Sequence, residues 1–204
     1  MTEMRIDFWF DPACPYTWVT SRWLCRHASE SSITIDWRPF SLAILHGDDD
    51  PGSPAQRGLR QLRVVEAVRK AGFEAQIGHL YTELGHRTHD AGDRQFRVVD
   101  AVAAAGLPPI LAEAEHDESI DEAIRASMEE ASALSGDDAG VPVIAWGDDE
   151  QRVGFFGPIL TELPDLEAGE RLFTAITELA SIGCFSELKR RRNGRPVLPA
   201  VRSD

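Results

Sequence analysis

The chain has 204 residues, which bounds it to one domain, or one domain with a large insertion, and lets it bury a core without disulfide or metal staples. Its 43% hydrophobic and 27% charged residues lie near the globular average, which excludes disordered, collagen-like and low-complexity classes. Lys and Arg number 21 against 34 Asp and Glu, and the net charge of −13 repels phosphate backbones and anionic lipid surfaces, so neither nucleic acid nor membrane is an expected partner.

Residues 4–10 have the aromatic and β-branched enrichment of a short strand, which Asp11-Pro12 stops. From Pro15 to about Ala28 apolar residues recur at steps of three and four (Trp18, Val19, Trp23, Leu24), so a helix is expected to begin immediately after Cys14. Residues 33–40 alternate apolar and polar as a half-buried strand does, giving β-α-β with a parallel, right-handed crossover. An acidic, Pro-rich turn from His46 to Pro54 then leads into helical patterns over about 55–71, 74–86, 93–105 and 118–134, broken by Gly72, Gly92 and Pro108-Pro109. Strand signals return over 141–146 and 152–156, with Gly147-Asp148-Asp149 as the turn between them, and helical patterns over 165–180 and 185–192 close the chain.

The order is β-α-β, an all-helical insertion, then β-β-α. The fold class is therefore α/β, with residues 1–43 and 139–204 forming the α/β layer and 44–138 the helical insertion domain. The basic cluster of Lys189 to Arg192 with Arg195 reads as cations at the C-terminus of the last helix, which Asn193-Gly194 ends. No apolar run approaches the roughly 18 residues that span a bilayer, and Met1 to Phe10 lacks a basic flank leading into a long apolar region, so the expected location is the cytoplasm. Three cysteines, Cys14, Cys25 and Cys184, are too few and too odd a set for a disulfide framework, which suits a reducing compartment.

The stretch Asp11-Pro12-Ala13-Cys14-Pro15-Tyr16-Thr17-Trp18 carries the chemistry. With Pro15 at the first helical position, Cys14 becomes the N-cap. The N–H groups of Tyr16 and Thr17 then point at its sulfur and the helix dipole adds partial positive charge, so an exposed, acidified thiolate nucleophile is expected. Thr17, at the third helical position, can turn its hydroxyl back onto the sulfur. The alternative is a buried cysteine acting as a small hydrophobe.

This turn resembles the active-site turn of the thioredoxin superfamily, within it the DsbA-like group that carries a helical insertion. Phe8 to Pro12, Trp18 to Trp23, Ser41 to Leu45 and Phe155 to Pro158 are similar to the actinobacterial mycothiol-dependent nitroreductase branch. The resemblance implies a thioredoxin-like fold with an inserted all-helical domain, a cis-proline at Pro142 facing Cys14, and contacts to a thiol cofactor from Pro15, Tyr16, Val141 and Pro142. It also implies a substrate cleft lined by His46, Gln56 and His89. Family members commonly place a second cysteine three residues after the first, where this chain has Thr17. Cys25 cannot replace it, because eleven residues of helix at about 1.5 Å each separate the two by on the order of 16 Å, and a disulfide needs about 7 Å or less. Cys25 therefore reads as core and Cys184 as structural, with a resolving role for Cys184 left open.

A lone cysteine can still run redox chemistry through a small thiol, which resolves the mixed disulfide or adduct formed at Cys14. Resemblance points to mycothiol as co-substrate, as does a basic complement in which 19 of the 21 residues are Arg, a hint of a high-GC bacterium. Glutathione is the alternative thiol. The expected reaction is reduction of a disulfide or of a small electrophile such as a nitro compound, by a monomer or homodimer. A kappa-class glutathione transferase or hydroxychromene-carboxylate isomerase would use a similar turn to hydrogen-bond a cofactor's sulfur without bonding to it. A non-catalytic peptide-binding module is the third reading. His79, Glu83, His86 and His89 recur at helical steps that could hold a metal, but a solvated or cleft-lining helix face explains the same spacing, and no metal is expected.

Overall fold

The computed structural model describes residues 4–29, 31–93, 95–147, 152–192 and 194–198. Strand β1 (Met4–Phe10), helix α1 (Pro15–Ser29) and strand β2 (Ile33–Pro39) form the opening unit, with β1 and β2 parallel from Met4↔Ile33 to Phe10↔Pro39. β3 (Val143–Trp146) pairs antiparallel on the other side of β1, with Trp9 opposite Val143, and β4 (Val153–Phe156) pairs antiparallel with β3. The sheet order is β2-β1-β3-β4, so β1 is central. That position explains why its last residues do not alternate: Phe8, Trp9 and Phe10 are all buried, on both faces of the sheet.

Between β2 and β3 the chain forms α2 (Leu42–His46), α3 (Pro54–Lys70), α4 (Ile77–Gly85), α5 (Val98–Ala104) and α6 (Asp121–Ser135), and α7 (Leu166–Ala180) follows β4. Local chemistry starts several of them. Ser41 accepts a hydrogen bond from the Ile44 N–H, Ser53 from the Gln56 N–H with Pro54 in the first turn, and Asp165 from the Ala168 N–H. The inserted helices dock through aromatic rings: Phe10, Trp18, Trp37 and Tyr81 meet at centroid distances of 4.2 to 5.8 Å and join β1, α1, β2 and α4. On the opposite side of α1, the Trp23 indole N–H donates to the Gly169 carbonyl of α7 at 3.1 Å.

Three expectations need correction. Residues 185–192 form no helix: of their two apolar residues Phe185 packs on Phe155 while Leu188 is 83% exposed, and a short basic segment without an apolar stripe to bury has little to offset the cost of helix nucleation. The cations of Lys189 to Arg192 therefore cap nothing; Asn193 lies outside the described residues. The helix expected over 93–105 spans only Val98–Ala104, because Gln95 to Arg97 lead in without helical pairing. Finally, α2 and a 3-10 segment over Pro109–His116 occupy stretches for which no helix is expected. Asp148 and Asp149 of the expected β3–β4 turn lie outside the described residues. No helix among the described residues is long and apolar enough to cross a membrane.

Candidate active site

The site grows from the turn between β1 and α1. Asp11 is fully buried at the end of β1; its Oδ1 accepts the Ala13 N–H at 2.8 Å, and its Oδ2 accepts the Leu42 N–H of α2 at 2.7 Å. The Cys14 N–H returns to the Asp11 carbonyl at 3.0 Å, and the Cys14 carbonyl accepts the Trp18 N–H at 3.1 Å. That last bond opens α1 and puts Cys14 at the cap position with Pro15 after it. α3 approaches closely at Gly58, where an added Cβ would stand 2.3 Å from Asp11 Oδ1.

Around the Cys14 sulfur are the Thr17 hydroxyl and the backbone N–H groups of Thr17 and Tyr16. Thr17 is completely buried, and its hydroxyl has no oxygen or nitrogen partner among the described residues. The expectation of an exposed, acidified thiol does not hold: Cys14 is 7% exposed. Burial pushes its thiol above the ordinary value, the Thr17 hydroxyl and the two N–H groups pull it down, and the nearby Asp11 charge pushes it up. Burial likewise pushes the Asp11 carboxyl up to about 7, against the pull of the Leu42 and Ala13 N–H groups. Cys25 is half-buried against the core, and Cys184 is exposed.

The Val141–Pro142 peptide is cis, and so is Gly157–Pro158. The Trp9↔Val143 register sets Pro142 one residue beyond, at the end of β1 where the Cys14 turn starts. The Pro142 carbonyl accepts the Gly157 N–H at 2.7 Å, and Thr20 of α1 donates to the Pro158 carbonyl at 2.9 Å, holding this edge against the helix.

The three residues expected along a substrate cleft part company. His89 lies at the turn: its Nε2 is 2.8 Å from the Pro12 carbonyl and its ring stacks on Trp18, whose indole N–H donates to Asp90 at 2.9 Å. His89 and Asp90 belong to a five-residue π-helical segment, His86–Asp90, that follows α4. His46 is exposed at the end of α2, while Gln56 commits its side-chain amide to the Asp48 carbonyl and its N–H to Ser53. His79 is exposed, Glu83 pairs with Arg87, and His86 sits 3.4 Å from Asp90, so the histidine series does not converge. No group of three or more metal-ligating side chains is found among the described residues.

Sequence reasoning passed over two contributors. Asp11 was legible only as a strand stop, although an Asp two residues before a backbone N–H that it accepts is a recognisable turn signal. The other is the C-terminal segment: the Arg192 guanidinium lies 4.9 Å from the centre of the Tyr16 ring, and the Tyr16 hydroxyl donates to the Gly194 carbonyl at 3.4 Å.

The sequence model of the Rv2466c-like family, described as mycothiol-dependent nitroreductase Rv2466c, matches residues 13–190. An uncharacterized protein of Mycobacterium tuberculosis is 29% identical over 202 residues, a match covering 94% of this chain and 84% of that protein. Two solved structures share the fold at a TM-score of 0.58. One is a probable DsbA oxidoreductase from Streptomyces coelicolor, 20% identical with 93% of this chain and 94% of that chain covered. The other is the cytosolic disulfide reductase DsbM from Pseudomonas aeruginosa, 14% identical with 86% and 99% covered. These likenesses show a thioredoxin-like, DsbA-type fold.

Proposed function

The chain belongs to the mycothiol-dependent nitroreductase family and is a DsbA-like thiol oxidoreductase, and we propose that it works with one cysteine, Cys14, and a small thiol, mycothiol, as co-substrate. The observation that carries this reading is the buried Thr17 hydroxyl, which stands beside Cys14 where a second cysteine commonly follows and is committed to no other group among the described residues. Family membership makes the chain an enzyme, against the non-catalytic peptide-binding reading.

In the proposed reaction the Cys14 thiolate attacks one sulfur of a substrate disulfide, the S–S bond breaks, and the departing thiolate takes up a proton. The Thr17 hydroxyl and the Thr17 and Tyr16 N–H groups stabilise the anion on Cys14 before attack and again when it leaves. A small thiol supplies the second nucleophile and the electrons, two thiols leaving as one disulfide for each two-electron reduction; for a nitro group those electrons yield the nitroso compound and water. Pro15, Tyr16, Val141 and Pro142 would hold that thiol, and the unpartnered Thr17 hydroxyl fits a sulfur brought to Cys14. His89 orients the turn through Pro12 and is the member of the expected cleft set that stands beside it. Residues 44–138 act in this reading as an insertion domain, and three unpaired cysteines suit a cytoplasmic enzyme.

The raised Cys14 thiol favours one rival, the transferase-like reading in which Cys14 and Thr17 only hydrogen-bond a cofactor's sulfur. Intact-mass spectrometry separates the two. After exposure to oxidised mycothiol or oxidised glutathione, the wild type is expected to gain one thiol mass that Cys14→Ser lacks, preferring mycothiol. No adduct at Cys14 with either thiol would overturn the monothiol mechanism in favour of the rival.

A further inference from the structure

From Phe185 to Leu198 the sequence holds five cations, Lys189, Arg190, Arg191, Arg192 and Arg195, against one acid, Glu187, in a chain of net charge −13. The four consecutive cations are exposed and lie on a segment without helix or strand. Its ends are seated. Phe185 meets Phe155 of β4 at 5.7 Å between ring centres, and the Val197 N–H donates to the Thr161 carbonyl at 2.6 Å. Leu198 packs on the hydrophobic core. Between these anchors the segment touches the active turn, with Arg192 over the Tyr16 ring at 4.9 Å and the Tyr16 hydroxyl on the Gly194 carbonyl. Tyr16 is two residues from Cys14.

We propose that residues 185–192 and 194–198 form a basic strap beside Cys14 that recruits anionic substrates, disulfides or electrophiles carrying carboxylate, sulfonate or phosphate groups. This rests on the reading of Cys14 as the nucleophile and adds the charge class of what reaches it. The physical case is one of contrast. A protein of this net charge repels anions at long range, whereas a run of cations seated by Arg192 on Tyr16, two residues from the reacting cysteine, makes the local potential beside the turn more positive. Arginine over a tyrosine face is held in place by cation–π attraction while its neighbours stay free to meet a ligand.

The test compares two aromatic disulfides that differ in charge: the dianionic bis(nitrobenzoate) disulfide and the uncharged dipyridyl disulfide. Each reacts in a single turnover, in which the Cys14 thiolate displaces one aryl thiolate and keeps the other as a mixed disulfide. The protein carries Cys184→Ser, so the exposed thiol is removed. The strap variant is Lys189→Gln, Arg190→Gln, Arg191→Gln, with Arg192 retained to keep the seat on Tyr16. The variant is expected to react about fivefold more slowly with the dianionic reagent at low salt, and at an unchanged rate with the uncharged one. About 0.5 M salt should erase the difference. Equal slowing with both reagents, or none with either, overturns the strap proposal.

A second measurement stands apart from the chemistry of Cys14. In Cys14→Ser, Cys184→Ser protein, isothermal titration with the dianionic disulfide should show binding that the three Gln substitutions weaken about fivefold. Indifference of binding to those substitutions overturns the proposal, whereas failure of Cys14 to form an adduct counts against the monothiol mechanism alone.

Discussion

The carboxylate of Asp11 accepts the N–H of Leu42 at 2.7 Å, so one buried acid ties the Cys14 turn to the first residue of α2. Its other oxygen takes the Ala13 N–H, and among the described residues no cation pairs with it; these two backbone N–H groups favour the ionised form. Burial wins over those dipoles and raises the carboxyl to about 7. A carboxyl that titrates higher folded than unfolded binds more protons in the native state between the two values, so stability falls as pH rises from about 4 to about 7 and is flat above.

Asp11→Asn, which cannot ionise, should lack that slope. Chemical denaturation of both proteins at several pH values is expected to show wild type losing ground to the variant across that window. A constant gap would mean that Asp11 stays ionised throughout.

The two residues that face each other across the first turn of α1, Cys14 and Thr17, give a second expectation, opposite in sign to the one the motif suggests. Because burial pushes the Cys14 thiol up and its side chain is closed off, iodoacetamide at neutral pH should label the exposed Cys184 first and Cys14 slowly, as peptide mapping can follow. Thr17→Val removes the hydroxyl while keeping the shape. Since that hydroxyl has no oxygen or nitrogen partner, stability should change by less than about 0.5 kcal/mol or rise. The loss of a donor to the thiolate should nevertheless slow thiol–disulfide exchange at Cys14 about tenfold. An equal fall in stability and reactivity would assign Thr17 a packing role only.

What the sequence made legible here was local. Pro12 and Pro15 bracket Cys14, the aromatic run of β1 marks a strand, and Trp18 and Trp23 give a helical stripe, so the β-α-β opening and the cap position of Cys14 follow from neighbours in the chain. The closure of the site over Cys14 is long-range. The residues flanking Cys14 are met by His89, which reaches Pro12 across 77 positions, and by the C-terminal segment, which reaches Tyr16 across 178, distances over which no periodicity speaks. The basic run misled for a related reason: charge at helical spacing says where water would be, and only an apolar stripe would have said that a helix had something to bury.

Gly85, the last residue of α4, tests how tightly the π segment is joined to the site. A Cβ there would stand 2.3 Å from Trp18 Cε3 and Cζ3 in the fully buried indole that His89 stacks on and that donates to Asp90. Gly85→Ala is therefore expected to destabilise by about 1 to 3 kcal/mol, the cost of overpacking, despite the better helix propensity of alanine. Denaturant titration should show this, with a parallel change in Cys14 exchange rate because Trp18 and His89 move together. A neutral or stabilising result would show that the indole can step aside.

Thr17→Cys asks whether the missing second thiol is all that makes the chemistry monothiol. The Thr17 hydroxyl is already directed at the Cys14 sulfur, and the two residues are three apart across the first turn of α1, a separation of about 5 Å between Cα atoms that falls within disulfide range. The introduced sulfur is larger than the hydroxyl it replaces but loses the methyl, so the buried volume changes little. On oxidation the variant should close a Cys14 to residue 17 disulfide, seen as a loss of two mass units and of two titratable thiols. In turnover the introduced thiolate should attack the mixed disulfide at Cys14 from within the chain, releasing the bound sulfur as a thiol, so that the rate depends less steeply on the concentration of small thiol. The wild type, with no sulfur at residue 17, should instead accumulate the Cys14 adduct when thiol is limiting. A variant that closes its disulfide yet keeps the full thiol dependence would place the slow step outside the resolution of Cys14, and a variant that never closes it would show that the two side chains do not approach as the buried hydroxyl implies.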